Sequence, residues 1–87
     1  MCTMIVEKIQ MDGCGKGRDG WFKLEHANIS YDHPFNAPFA HALNIDFVNE
    51  SMGPSARVAV ELSEEAARDL VKTILAVLDQ AEAGGHF

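Results

Sequence analysis

The stretch ALNIDFVNESMGPSARVAVELSEEAARDLVKTILAVLDQAEAGG, residues 42–85, decides the fold. Its first seven residues alternate, with Leu43, Ile45 and Phe47 on one side and Asn44 and Asp46 on the other. That period of two belongs to a half-buried strand over 42–48. Gly53-Pro54 marks a turn, and Val58, Val60 and Leu62 alternate with Ala59 and Glu61 in a further strand over 57–62. At Ser63 the period changes. Ala67, Leu70, Val71, Ile74, Leu75, Val77, Leu78 and Ala81 recur at helical spacing. Ser63 suits an N-cap, Glu64 and Glu65 suit the positive end of a helix dipole, and Gly84-Gly85 ends the run. A helix over 64–83 would be about 30 Å long. Its apolar stripe is wide, because Leu75 and Val77 fall on opposite edges, and one small sheet would not cover both.

Upstream, residues 3–11 read as a strand and residues 21–31 as a second. Between them Asp12–Gly20 (DGCGKGRDG) holds four glycines in nine residues and reads as a loop. Residues 32–40 (DHPFNAPFA) carry two prolines and form a long connection. The second strand changes parity: Phe22 and Leu24 are even, whereas Ala27, Ile29 and Tyr31 are odd. Either a β-bulge lies near Glu25-His26, or both faces of this strand are partly covered. The order strand, strand, strand, strand, helix with short connections predicts an α+β fold. It is a four-stranded antiparallel sheet followed by one long C-terminal helix packed on one face.

With 87 residues the chain is one domain with a thin core. At 47% apolar and 23% charged it has the composition of an ordinary globular protein. Thirteen acids against seven bases give a net charge of −6, which disfavours broad nucleic-acid binding. No run is long and apolar enough for a membrane span, and no signal peptide is expected. The two cysteines, Cys2 and Cys14, form no disulfide framework, so thiols in a cytoplasmic setting are expected.

Chemistry concentrates between Glu25 and Asp46. His26, His33 and His41 are three of the four histidines, with Asp32 and Asp46 among them and Cys14 shortly before. Imidazole, carboxylate and thiolate bind zinc, iron or copper, and an open coordination position would permit catalysis. The spacings match no standard metal signature, and ordinary surface histidines would give the same pattern. On the expected strands His26, Asn28, Ser30 and Asp32 share a face, as do Asn44 and Asp46. Pairing would join them in a polar patch opposite the helix. Asp32 suits a turn cap better than an orienting partner for His33, since strand neighbours point apart; Asp46 is the better partner. Gly13–Arg18 can form an anion nest in which Lys16 and Arg18 hold a small anionic ligand, or simply an exposed hairpin loop. An N-terminal nucleophile at Cys2 would need Met1 removed. Phe35 and Phe39 would cover a pocket or pin the long connection.

Met1–Glu7 (MCTMIVE), Met11–Phe22 (MDGCGKGRDGWF), Tyr31–Pro34 (YDHP) and Ala42–Phe47 (ALNIDF) carry a resemblance along the whole chain. It resembles a small family of uncharacterised bacterial proteins, a domain of unknown function. The resemblance implies a bacterial cytoplasmic protein and names no reaction, ligand or catalytic residue. Three functions follow from the residues: a small metal-binding protein or metal-dependent enzyme acting on an anionic substrate; a non-enzymatic dimeric interaction or accessory module for a larger partner; and an acid–base enzyme using one histidine. The module predicts that the helix stripe or a strand edge stays exposed in the isolated subunit. A homodimer is expected, because a chain this small enlarges its core most readily by association.

Overall fold

The computed structural model describes residues 5–87; Met1–Met4, and with them Cys2 and the start of the first expected strand, lie outside the described residues. Among the described residues six strands and a helix follow one another: β1 Ile5–Gln10, β2 Cys14–Gly17, β3 Gly20–Lys23, β4 His26–Asp32, β5 Ala42–Val48, β6 Arg57–Leu62 and α1 Glu64–Ala83, with a single 3-10 turn Glu50–Met52, N-capped by Asn49, between β5 and β6. The main sheet is antiparallel in the order β1-β4-β5-β6, and β2 and β3 form a second, two-stranded sheet. The architecture is therefore α+β with a four-stranded antiparallel sheet and one C-terminal helix.

The register sorts side chains as the alternation requires. Asn28 lies opposite Asp46 and Ser30 opposite Asn44, and Asn44 in turn opposite Glu61. These polar groups share one face. The other face carries Ile29 opposite Ile45 opposite Val60, and Tyr31 opposite Leu43 opposite Leu62.

The glycine-rich segment is a strand hairpin, not a loop. Cys14 pairs with Lys23, Gly15 with Phe22, Lys16 with Trp21 and Gly17 with Gly20, around the two-residue turn Arg18-Asp19. Gly15 and Gly17 serve close approach. A Cβ on Gly17 would sit 3.2 Å from the Ser55 carbonyl oxygen and 3.0 Å from the Phe22 ring, and one on Gly15 would sit 3.1 Å from Leu24 and 3.5 Å from Val58. Bare backbone lets the hairpin lie against β6, with Phe22 buried beneath it.

The parity change in residues 21–31 is the seam between the two sheets. Gln10 pairs with His26 in one sheet and Cys14 with Lys23 in the other, leaving residues 11–13 against residues 24–25. Backbone bonds from Met11 N–H to Glu25 O (3.2 Å) and from Leu24 N–H to Gly13 O (2.8 Å) carry the ribbon across. The extra residue therefore lies in the opposing strand, near Asp12, and strand 21–31 breaks at Leu24-Glu25.

The helix begins without a linker. Ser63 alone separates β6 from α1, and its hydroxyl accepts the Ala66 N–H at 3.1 Å as N-cap. The opening turns meet the apolar face beside Tyr31 and Leu43, where Ala67 is buried. Ala67 is the sole buried residue of the helix. Beyond it Leu70, Val71, Ile74, Leu75, Val77 and Leu78 remain 42–58% exposed. Among the described residues the buried apolar set is Phe22, Ala27, Ala42, Ala56 and Ala67.

Candidate functional site

The polar face of β4, β5 and β6 and the connection over residues 33–41 enclose a cleft of about 240 Å³, lined by Ser30, Asp32, His33, Asn44, Asp46, Arg57 and Glu61 among others. Each strand contributes alternate residues, so pleating alone gathers these groups. Glu61 organises the connection. Its carboxylate accepts the backbone N–H groups of Phe35 (2.6 Å), Asn36 (2.9 Å) and Ala37 (2.8 Å). The Phe35 and Ala37 donors, opposed by burial and joined by Asn36, hold its pKa below the ordinary 4.5. The long connection is thus pinned by a carboxylate. Phe35, one of the two aromatic residues expected to pin it or cover a pocket, is 93% exposed, and Phe39 is also exposed.

The expected metal residues fall in separate places. His33 and His41 come together at the ends of the connection, their rings stacked with centroids 4.7 Å apart, and His41 also stacks on Tyr31 at 5.8 Å. His33 Nδ1–H donates to the Ala40 carbonyl at 2.8 Å, which sets its tautomer, because a carbonyl only accepts. Asp32 Oδ1 accepts the His33 backbone N–H at 2.7 Å and so caps the turn. Asp46 is held by Arg57, whose Nε and Nη2 donate to Oδ1 at 3.0 and 2.7 Å. His26 is buried at the start of β4, with Nδ1 3.5 Å from Glu25 and Nε2 3.4 Å from Glu50. Cys14 is an exposed thiol on the hairpin. Lys16 and Arg18 also lie there; Lys16 pairs across the ladder with Trp21, and Arg18 stands 3.7 Å from Asp19. Among the described residues no three His, Cys, Asp or Glu side chains gather into a group able to hold a metal ion.

A second functional surface is apolar. The helix stripe and the half-buried middle of the sheet face, bounded by the exposed Ile5, Glu7, Ile9 and Tyr31, lie on the side opposite the cleft. No helix of the described residues is long and apolar enough to cross a membrane. Monomeric proteins rarely expose large contiguous apolar surface.

Sequence reasoning missed two organising residues, Glu61 and Asn49. The alternation places Glu61 on the polar face, but nothing local ties it to amides 24–26 residues away. Asn49 donates from Nδ2 to the Lys23 carbonyl at 2.8 Å and accepts from Ser51 N–H and Oγ–H at 3.1 and 2.5 Å. It therefore joins the hairpin to the turn between β5 and β6. A buried asparagine opening a turn is the signal, and it is a weak one.

Residues 1–86 match a family of unknown function (DUF6295), and the chain belongs to that family. No curated protein matches the chain, and no solved structure does.

Proposed function

We propose that this chain is a small dimeric interaction module, active through its apolar surface and not as a self-contained catalyst. One observation carries the reading: α1 continues past Ala67 with six large apolar residues exposed along its stripe. A solvated helix has no use for such residues. A second copy would cover them, and a larger partner could then bind the assembled dimer. The exposed Cys14 thiol suits a reducing, cytoplasmic setting. Sedimentation velocity on untagged protein, from low micromolar to several hundred micromolar, tests the reading. A species of twice the 9.5 kDa chain mass is expected. A compact, folded monomer across the whole range would refute it.

One specific observation favours a second reading, in which the protein binds zinc, iron or copper. The His33 and His41 rings lie 4.7 Å apart beside Asp32. Two imidazoles from one chain fall short of the three protein ligands usual for a catalytic site, so water or a second copy would complete the set. Lys16 and Arg18, carried on the hairpin, would offer a small anion a separate exposed site. Elemental analysis of protein purified without tag or chelator tests the metal reading. Near-stoichiometric metal that is lost in His33→Ala supports it, and none bound after titration with zinc, iron(II) or copper refutes it.

A further inference from the structure

We infer that two copies of this chain exchange helices, so that the exposed part of α1 from each copy lies on the open apolar sheet face of the other. The inference rests on the dimeric reading above and specifies how the surfaces meet.

Three quantities support it. The accessible surface is 6678 Å², whereas a folded monomer of 9.5 kDa exposes roughly 5,000 Å². The excess of roughly 1,600 Å² per chain is about twice what each partner contributes to a standard interface. It falls in the range of obligate dimers. The radius of gyration is 14.8 Å, against about 12 Å for a compact chain of this length. The protomer is thus an extended body holding two unpaired apolar surfaces.

Connectivity decides how those surfaces pair. Strand-to-helix connections usually run about 2–6 residues, and that slack lets a helix turn back over its own sheet. Here Ser63 is the whole connection, and it is committed as N-cap. The opening turns of α1 touch the sheet at Tyr31 and Leu43 and the helix then continues away from it. Its exposed stripe is therefore carried clear of its own sheet. The dimensions agree. Residues 70–81 make a rod of about 18 Å. The seven-residue strands β4 and β5 are about 23 Å long, so the rod fits along the face. A two-fold axis then makes both contacts at once, each helix on the other copy's sheet, and buries Leu75 and Ile45 in equivalent environments twice.

The test separates exchange from simple dimerisation. Leu75→Asp damages the helix surface and Ile9→Lys the rim of the sheet surface; both positions are exposed in the protomer, so neither change disturbs the inside of one chain. Each variant alone is expected to raise the dimer dissociation constant at least about 100-fold, because both contacts then bury an unpaired charge. Mixed together they are expected to form a one-to-one heterodimer, read by native mass spectrometry with one copy isotope-labelled. In that species one helix–sheet contact is wholly native and the other pairs Asp with Lys. Circular dichroism before and after mixing covers the case in which the separate variants are unfolded, since mixing should then restore structure. A wild-type dimer whose variants show no rescue on mixing overturns helix exchange and leaves the dimeric reading standing. It points to helix–helix and sheet–sheet contacts. A folded wild-type monomer at every concentration overturns both.

Discussion

Asn49→Ala is the sharpest test of how the hairpin is held to the main sheet. The Asn49 side chain is buried and makes three hydrogen bonds, one to the Lys23 carbonyl at the end of β3 and two from Ser51. Truncation removes all three and leaves the Lys23 oxygen and the Ser51 amide without these partners. A net hydrogen bond is worth about 0.5–1.5 kcal/mol and loss of a cap about 1 kcal/mol, so the total should fall at about 2–4 kcal/mol. For a chain of this size that lowers Tm by roughly 10–25 °C. Ser51→Ala removes a single one of the bonds, the hydroxyl bond at 2.5 Å, and should cost about 1 kcal/mol or less. Urea denaturation of wild type and both variants at one shared protein concentration gives the two values as differences, in which a common dissociation contribution cancels. Hydrogen exchange at the Leu24 amide, which bonds Gly13 O at the seam, should accelerate in Asn49→Ala more than exchange within β5. The reasoning fails if Asn49→Ala costs no more than Ser51→Ala.

Gly17→Ala should destabilise by about 1–3 kcal/mol, because the new methyl meets the Ser55 and Arg57 carbonyl oxygens; Gly13→Ala, with open space around it, should change stability by less than about 0.5 kcal/mol. Equal effects in thermal melts would refute the close-approach account of the glycines. The depressed Glu61 pKa means that its contribution is fully present above the unfolded value and lost as pH falls through the lower folded value, so the window lies below 4.5. Amide protection at Phe35, Asn36 and Ala37 should hold from neutral pH to that window, vanish beneath it, and be missing at neutral pH in Glu61→Gln. Protection that is unchanged in Glu61→Gln would show that the connection is ordered by something else.

The strand alternation was legible at Ala42–Val48 and Arg57–Leu62 because each side chain there answers to one sheet with one polar and one apolar face. The helix was legible because cap, periodicity and terminating glycines agree over Ser63–Gly85. Residues 12–20 were not, because glycine content reports conformational freedom. Here Gly15 and Gly17 answer to close packing against β6 and its preceding turn, a tertiary demand with no local trace. The histidines failed to resolve for a related reason. Spacing in sequence does not show which residues meet: His26 opens β4 and His33 follows its end, so the length of that strand keeps His26 away from His33 and His41. The polar face itself was readable, since Asn28, Ser30, Asn44 and Asp46 needed nothing beyond pairing to meet.

The composition and the core disagree in a way that bears on function. Nearly half of the residues are apolar, yet four of the five buried apolar residues among those described are alanines. Most of the large aliphatic side chains are elsewhere, on the helix stripe and on one sheet face. Burying a leucine- or isoleucine-sized side chain stabilises by about 1.5–3 kcal/mol, so the stripe and the sheet face together hold more unused burial free energy than the alanine core supplies. Such a chain gains most of its hydrophobic stabilisation only when the two surfaces meet. In the proposed helix exchange, association would complete the fold and would not be an event that follows it. On this argument dilution should lower the melting temperature continuously, with loss of the dimer and loss of helix in one transition. A partner that recognises the assembled surface would in consequence never meet a folded single copy.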